Sequence, residues 1–507
     1  MVGVPVRAGG RTAQIEGKFA VRKCHQLQIL ELLATVREAQ AAGLYDDCQY
    51  GAQAITEFIE QQDVEGTVTV ALLDEYCHLL HKAHDNEVDQ ESLLRQLCRI
   101  VSSVKTELKP KKYKVLFLPY YDNTWETMKS LYEAFSRDPL FETEVVITPI
   151  VRNTNQGAKF VWDDYLTSNG IPNTHYEQYS FEIDRPDIVF YNQPYDEVNV
   201  PKFSSDNIRR YSTLMVYVPY HLKLVDVSDP SYDTRVNGLG AIQRCDLYIC
   251  QSAHFRERYL KGTPLYKKAL VHGHPKCDIL FSAKNDKESI YDPDWRRKME
   301  GHRVILLNTH YSQMISGALP HPGVRRLLET VEHNDDLFLL WRPHPQSFLM
   351  KMSPQMMSML ELAEKHKRMI VDRTPNMTRA LIHCDALVST SRTSIVVEAL
   401  FLDVPTFVLG RNDFQANTPS RGGRLFYNSV AHENFCEPLP DKATASKDMR
   451  AYIEANVYAP LDSFVQDIRN GLDSRAEERK RFREQEFPYG DGAVAGRILQ
   501  SVKNMIL

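Results

Sequence analysis

No stretch of this 507-residue chain reaches the ~18 consecutive apolar residues that a membrane-crossing helix needs. The opening residues, Met1 to Gly17, carry basic side chains, but no apolar segment of signal-peptide length follows them. Glycine is sparse, with 23 residues, and none builds a phosphate-cradling GxGxxG or P-loop pattern; Gly238-Leu239-Gly240 is the nearest approach and falls short. A nicotinamide dehydrogenase and an ordinary P-loop kinase are therefore not expected. The formal net charge is only −5, so no nucleic-acid partner is expected. Nine cysteines, an odd number spread over a long chain, do not make a disulfide framework and fit a reducing, cytoplasmic setting.

What is present is the composition of a globular protein, 43% hydrophobic and 25% charged, too long for one core. From about residue 19 to 107 apolar side chains recur at helical spacing (Leu27, Leu30, Ala34; Ile55, Phe58, Ile59; Leu72, Leu73, Tyr76, Leu80; Leu93, Leu97, Ile100, Val104). This predicts about four helices, with breaks near Gly43, Gly66 and Asp85-Asn86. Residues 1–18 read as a frayed end. His78, His81 and His84 do not all share one helix face and read as surface imidazoles rather than a metal centre. Lys105, Lys109, Lys111, Lys112 and Lys114 around Pro110 make a basic linker. It reads either as a solvated hinge or as a contact to an anionic membrane surface, where each lysine contributes about 1 kcal/mol.

After the linker the pattern changes to short apolar strands alternating with helices: Lys114–Leu118, a helix over 124–137, Thr143–Ile150, then Asp187–Tyr191, Leu214–Val218, Asp246–Cys250 and Ala269–His272. A second such series runs Arg303–Leu307, Leu337–Trp341, Met369–Val371, Ala386–Ser389 and Thr406–Leu409, before an irregular stretch over 410–450. Alternation of this kind predicts parallel sheets covered by helices. The expected fold class is α/β, two doubly wound Rossmann-like domains (the GT-B architecture) preceded by an all-α N-terminal helical bundle. The expected divisions are 1–110 (helical), 111–283 (first Rossmann-like, acceptor), 303–480 (second, nucleotide-donor) and 481–507 (a C-terminal helix packing back).

Ligands of open α/β sheets sit outside the carboxyl ends of parallel strands, which directs attention to the polar residues there. Arg342-Pro343-His344-Pro345 ends a strand: arginine offers forked donors to phosphate, imidazole can donate near neutrality, and the prolines stiffen the turn. The alternative is that Arg342 pairs with a local carboxylate and His344 caps a loop. Ser391, Thr393 and Ser394 precede a helix and suit phosphate oxygens at its N-terminus or plain N-capping. Glu398 lies on an apolar helical face and requires a partner; a ribose diol would serve. His221 follows a strand of the first domain, where it would face a diphosphate as general base. His272 and His274 form a His-x-His pair without further evident ligands, so no metal is expected.

Four motifs in order give this region, about 113–505, a resemblance to the CDP-glycerol glycerophosphotransferases, the teichoic-acid-type polymerases. His274-Pro275-Lys276-Cys277-Asp278 is similar to the family's Gly-x-Pro-Arg-x-Asp loop, with Lys276 in place of arginine. Arg342-Pro343-His344-Pro345 resembles its His-Pro motif, and Ser389 to Glu398 with Asp403-Val404-Pro405 its hydroxyl–acid segment, with Glu398 where the family has Asp. Asp491-Gly492-Ala493 with Arg497-Ile498 resembles its ending. The resemblance implies a GT-B fold and transfer of glycerol phosphate from CDP-glycerol, or a related CDP-polyol, to a hydroxyl of a polymer or lipid-linked acceptor, with release of CMP. His344 would bind the diphosphate, Ser391, Thr393 and Ser394 the phosphate oxygens, Glu398 the ribose, and Lys276 would stand on the donor side. His221 matches the family's base, although Leu222 replaces the glycine that follows it there. No cofactor is expected, and a lipid-linked acceptor implies work at the inner face of the cell membrane. The same architecture also serves glycosyltransferases and epimerases of nucleotide sugars. A third reading is an inactive chain that acts through its helical bundle as an interaction module.

Overall fold

The computed structural model describes residues 22–506 apart from 62–66, 109–111, 121, 155–156, 162–164, 224–237, 312–313, 315–319, 350, 375–376, 392, 410–431, 434–450 and 452. The expectations for residues 1–18, for most of 410–450 and for the centre of the basic linker lie outside the described residues.

Four helices open the structure: α1 (Lys23–Ala41), α2 (Tyr45–Glu60), α3 (Val68–His84) and α4 (Gln90–Glu107). Their starts and stops have local causes. Thr67 and Asp89 cap α3 and α4 by accepting from the amides of Val70 and Ser92. Gly43, at φ +74°, lets the chain turn out of α1, with the Leu44 amide returning to the Ala39 carbonyl. The apolar positions at helical spacing, among them Ile29, Leu33, Ile55, Ile59, Leu73, Leu97 and Ile100, form the bundle's own core. Buried Tyr76 is satisfied there by donating to Gln40 Oε1 at 2.8 Å. The Arg22 guanidinium donates to the Asp184 and Arg185 carbonyls, tying the bundle to the first α/β lobe.

That lobe holds a parallel sheet of β1 (Tyr113–Leu118), β2 (Phe141–Val145), β5 (Ile188–Tyr191), β6 (Leu214–Tyr217), β7 (Leu247–Cys250) and β8 (Ala269–Val271), in the order β2-β1-β5-β6-β7-β8. A separate antiparallel hairpin of β3 (Ile150–Thr154) and β4 (Gly157–Val161) stands outside it. The strand expected over 143–150 is thus two elements: β2 ends at Val145, and the chain later enters the hairpin. The helix expected over 124–137 is divided into a 3-10 segment, Asp122–Thr127, and α5 (Lys129–Arg137). That break puts Glu126 in the 3-10 segment, outside α5.

The second lobe holds β9 (Arg303–Thr309), β10 (Leu337–Pro343), β11 (Met369–Val371), β12 (Ala386–Ser389), β13 (Thr406–Val408) and β14 (His432–Glu433), all parallel, in the order β11-β10-β9-β12-β13-β14. Strands β5, β7, β10 and β12 are buried along their whole length, as strands covered by helices on both faces must be. In sequence order the two sheets read 2-1-3-4-5-6 and 3-2-1-4-5-6, so the direction of winding reverses between β1 and β5 in one and between β9 and β12 in the other.

The lobes are not independent globules. One apolar cluster runs from Phe117 and Phe190 through Cys277 and Leu280 to Ile395, Leu400 and Val494. The helix Ala476–Glu486 packs on the helix Ser394–Phe401 of the second lobe, and the last helix, Val494–Ile506, returns to α5 of the first. Asp278 secures that return by accepting from the Val494 and Ala495 amides, both at 2.9 Å, and Lys503 pairs with Asp138 at 2.8 Å. Among the described residues no helix is long and apolar enough to cross a membrane.

Candidate functional site

The reversal point between β9 and β12 collects the polar strand ends of the second lobe. Asn308, at the end of β9, donates to the Arg342 carbonyl at 3.0 Å and lies 3.5 Å from the hydroxyls of Ser389 and Thr393. The His310 amide donates to Thr390 Oγ1 at 3.0 Å, and the His344 amide to the Thr309 carbonyl at 2.9 Å. Trp341 Nε1 reaches Thr309 Oγ1 at 3.1 Å. Three strand ends are thereby laced into one rigid rim, which is the condition for holding a ligand in fixed geometry.

His344 stands on this rim, half-buried, with its ring 5.6 Å from that of His310 and 5.3 Å from that of Tyr311. Burial first, then the charges of His310 and Arg342, push its pKa down to about 4, so the ring is neutral at physiological pH. Ser389 donates to the Ser391 carbonyl at 2.7 Å, and Ser391 Oγ is buried with no hydrogen-bond partner among the described residues. Thr393 occupies the N-cap of the helix Ser394–Phe401 but its side chain makes no capping bond. The capping alternative for that hydroxyl therefore does not hold.

Arg342 takes the alternative course. It is 5% exposed and pairs with the buried carboxylate of Asp372, which also accepts from the Thr374 amide at 2.8 Å. Its guanidinium thus has one partner of opposite charge already in place, and its charge acts on His344.

Glu398 is fully buried, and its partner comes from the other lobe: Lys276 Nζ lies 2.8 Å from Glu398 Oε1 and 3.3 Å from Glu126 Oε2. Lys276 begins the helix Lys276–Asn285 and is 5% exposed. Burial pushes the Glu398 carboxyl up to about 7 despite the ammonium beside it, with Glu126 adding a like charge. The two carboxylates in turn hold the Lys276 pKa above its usual value, against burial.

His221 stands just past β6 on the first lobe's side of the same seam, its Nδ1 buried with no partner among the described residues. Burial, followed by the charges of Lys223, His274 and Lys276, holds it neutral. Behind it His274 donates from Nε2 to the Pro219 carbonyl at 2.7 Å and accepts the Lys276 amide on Nδ1 at 3.2 Å. That fixes its tautomer and explains why it is buried as a structural imidazole. Among the described residues no group of three or more His, Cys, Asp or Glu side chains is placed to hold a metal ion.

The structure thus places Arg342, His344, Ser391, Thr393 and Ser394 along one sheet edge. It links Glu398 of that lobe to Lys276 of the other, and sets His221 within electrostatic reach of Lys276. Sequence reasoning missed Asn308, His310 and Tyr311, although they lie at and just past the end of β9 in the same strand-then-polar pattern that marked β10 and β12. It also missed Glu126 and Asp372, for which no local signal exists.

No family model and no curated protein matches the chain. Solved structures do match it in fold. MnaA of S. aureus, in a co-structure with UDP, superposes with a TM-score of 0.51 at 13% identity, covering 78% of this chain and 97% of that one. A single-substitution variant of the wall teichoic acid polymerase TagF gives 0.50 at 14% identity over 86% and 98%. A UDP-GlcNAc 2-epimerase from Neisseria meningitidis bound to UDP-GlcNAc gives 0.49 at 13% identity over 77% and 100%. The fold is accordingly the two-lobed GT-B arrangement, here preceded by a four-helix bundle.

Proposed function

We propose that the protein is a glycerophosphotransferase, moving glycerol phosphate or a related polyol phosphate from its CDP ester to a hydroxyl of a polymer or lipid-linked acceptor. The observation that carries this reading is the rim at the β9/β12 reversal. It sets His344, a Ser391 hydroxyl with no hydrogen-bond partner among the described residues and a helix N-terminus without a side-chain cap on one lobe, with neutral His221 at the seam from the other. Helix amides and small hydroxyls suit the oxygens of a diphosphate.

In the proposed reaction His221 accepts the proton of the acceptor hydroxyl, whose oxygen attacks the β-phosphorus in line. The new P–O bond forms as the bond to the bridging oxygen breaks, and CMP leaves with that oxygen and the negative charge. Neutral His344 donates a hydrogen bond to the leaving phosphate, and the amides opening the helix Ser394–Phe401 stabilise it. Arg342, paired with Asp372, adds positive potential and stiffens the loop that carries His344. The ionised form of Glu398 accepts the ribose hydroxyls. Work on a lipid-linked acceptor would place the protein at the inner membrane face.

The test is to incubate the protein with CDP-glycerol, CDP-ribitol and UDP-sugars and to follow release of CMP or UDP. His344→Ala is expected to lower kcat at least ~100-fold with folding intact, because one good donor to a developing charge is worth that much. Near-normal turnover by the folded variant refutes the role. The second reading, a glycosyltransferase or epimerase of a nucleotide sugar, draws on the likeness to the MnaA–UDP structure. Turnover of a UDP-sugar and none of CDP-glycerol would establish it instead.

A further inference from the structure

Two carboxylates share one ammonium at the seam between the lobes. Glu126, in the 3-10 segment after β1, approaches Lys276 Nζ at 3.3 Å and accepts from Thr378 Oγ1 of the second lobe at 3.3 Å. Glu398 pairs with the same ammonium at 2.8 Å through Oε1, and both of its carboxylate oxygens are buried with no directed hydrogen bond among the described residues, Oε2 having no ion-pair partner either. A strut joining the lobes needs one acid for one lysine, and a second acid beside the first only repels it. The surplus is explained if Lys276 must not be given wholly to Glu398.

We propose that Glu126 is a positioning residue for the donor nucleoside: it shares Lys276 with Glu398, leaving Glu398 a strongly accepting carboxylate whose second oxygen takes the hydroxyls of a ribose. The inference rests on the reading of Glu398 as the ribose acceptor. The charged groups around Glu398 are Lys276 and Glu126 from the first lobe and Arg342 from the second. Removing the charge of Glu126 strengthens the hold of Lys276 on Glu398, weakens it as an acceptor, and lowers the pH at which it ionises.

The probes are CMP and 2′,3′-dideoxy-CMP, with the uridine pair in parallel, titrated calorimetrically between pH 6 and 8. The wild-type protein is expected to prefer the ribonucleotide by about tenfold or more, the size of hydrogen bonds to a charged acceptor. That preference should rise with pH as Glu398 ionises. Glu126→Gln is expected to bind the dideoxy probe as before, to lose most of the preference at pH 8, where Glu398 is ionised in both proteins, and to show the remaining pH midpoint at lower pH. Glu126→Asp, which keeps the charge, restores part of both effects, and Glu126→Ala serves as the measured variant should Glu126→Gln not fold. An unchanged preference and midpoint in the variant lacking the charge overturn the inference alone. Absence of any ribose preference in the wild-type protein overturns the underlying reading of Glu398 as well.

Discussion

Replacing Lys276 with methionine removes the cation from between two carboxylates while keeping most of the side-chain volume. A buried pair broken at one end usually costs about 3–5 kcal/mol, because a charge is left uncompensated. Here the structure argues for a different, pH-graded cost. The folded Glu398 pKa is about 7, above the 4.5 of an unperturbed carboxyl. The folded state therefore binds the extra proton between those values, and the contribution of Glu398 to wild-type stability falls as pH rises from about 4.5 to 7 and then levels. Without Lys276 the Glu398 pKa climbs further, so the decline continues past 7. Each pH unit is worth about 1.36 kcal/mol. The Glu398 share of the difference between variant and wild type is thus small at pH 6, where both hold the proton, and grows to about 2 kcal/mol by pH 8.5. The assay is urea unfolding followed by the fluorescence of the four tryptophans, of which Trp125, Trp295 and Trp341 lie in both lobes and the linker between them, at pH 6, 7 and 8.5. The double variant Lys276→Met/Glu398→Gln should lose the pH-dependent part. A cost of 3–5 kcal/mol that is the same at pH 6 and 8.5 refutes the reasoning, since it would mean that Glu398 stays ionised without its partner.

Acid should weaken the fold through its buried imidazoles. His274 and His321 are almost fully buried with pKa values pushed down to about 4, so each contributes stability present above about 6.5 and lost as pH falls toward 4. At pH 5 the loss is about 2 kcal/mol for each. His321→Asn, which can still accept from the Gly323 amide, should flatten the slope of stability against pH by its share. Gly273→Ala should destabilise by about 2 kcal/mol or more, read as a lower urea midpoint. Its φ is +93°, and a Cβ there would sit 2.8 Å from Tyr489 Cβ and 2.9 Å from Val494 Cγ2. A midpoint unchanged by that substitution would mean that the last helix is not packed against the loop after β8.

Periodicity made much of this architecture readable in advance. The helical bundle follows from apolar residues at helical spacing, and the lobes from short apolar strands separated by helices, because these patterns record which faces must leave water. The rim was legible for the same reason: Arg342-Pro343-His344 and Ser389 to Ser394 interrupt apolar runs where a strand must end. What periodicity does not carry is which strand lies beside which, or which charge meets which. Glu398 required a partner on electrostatic grounds alone, but nothing local indicates that Lys276 of the other lobe supplies it. Arg342 has the composition of a phosphate ligand, and its pairing with Asp372 becomes visible only when β10 and β11 lie side by side. Glu126 was hidden by the reading of one continuous helix, where the chain instead breaks into a 3-10 segment and α5.

In the proposed reaction a donor held by one lobe and a base carried by the other impose a requirement on the connection between them, because misplacement by about 1 Å can cost about a hundredfold in rate. Two ties meet it by different physics. The last helix is fixed to the first lobe by the Asp278 carboxylate on two backbone amides, and by Tyr113 donating to the Ile506 carbonyl at 3.1 Å. These contacts all lie on one lobe and do not involve the donor rim. The Glu126–Lys276–Glu398 triad instead spans the seam, with both carboxylates drawn to one ammonium, and its charge balance changes as Glu398 gains or loses a proton. The terminal helix can therefore stay fixed to the first lobe while the triad responds to a ligand entering between the lobes. It follows that lobe spacing, measured by small-angle scattering, should depend on pH near 7 in the wild-type protein and not in Glu398→Gln. A spacing that varies equally in both would assign the adjustment to some other part of the seam.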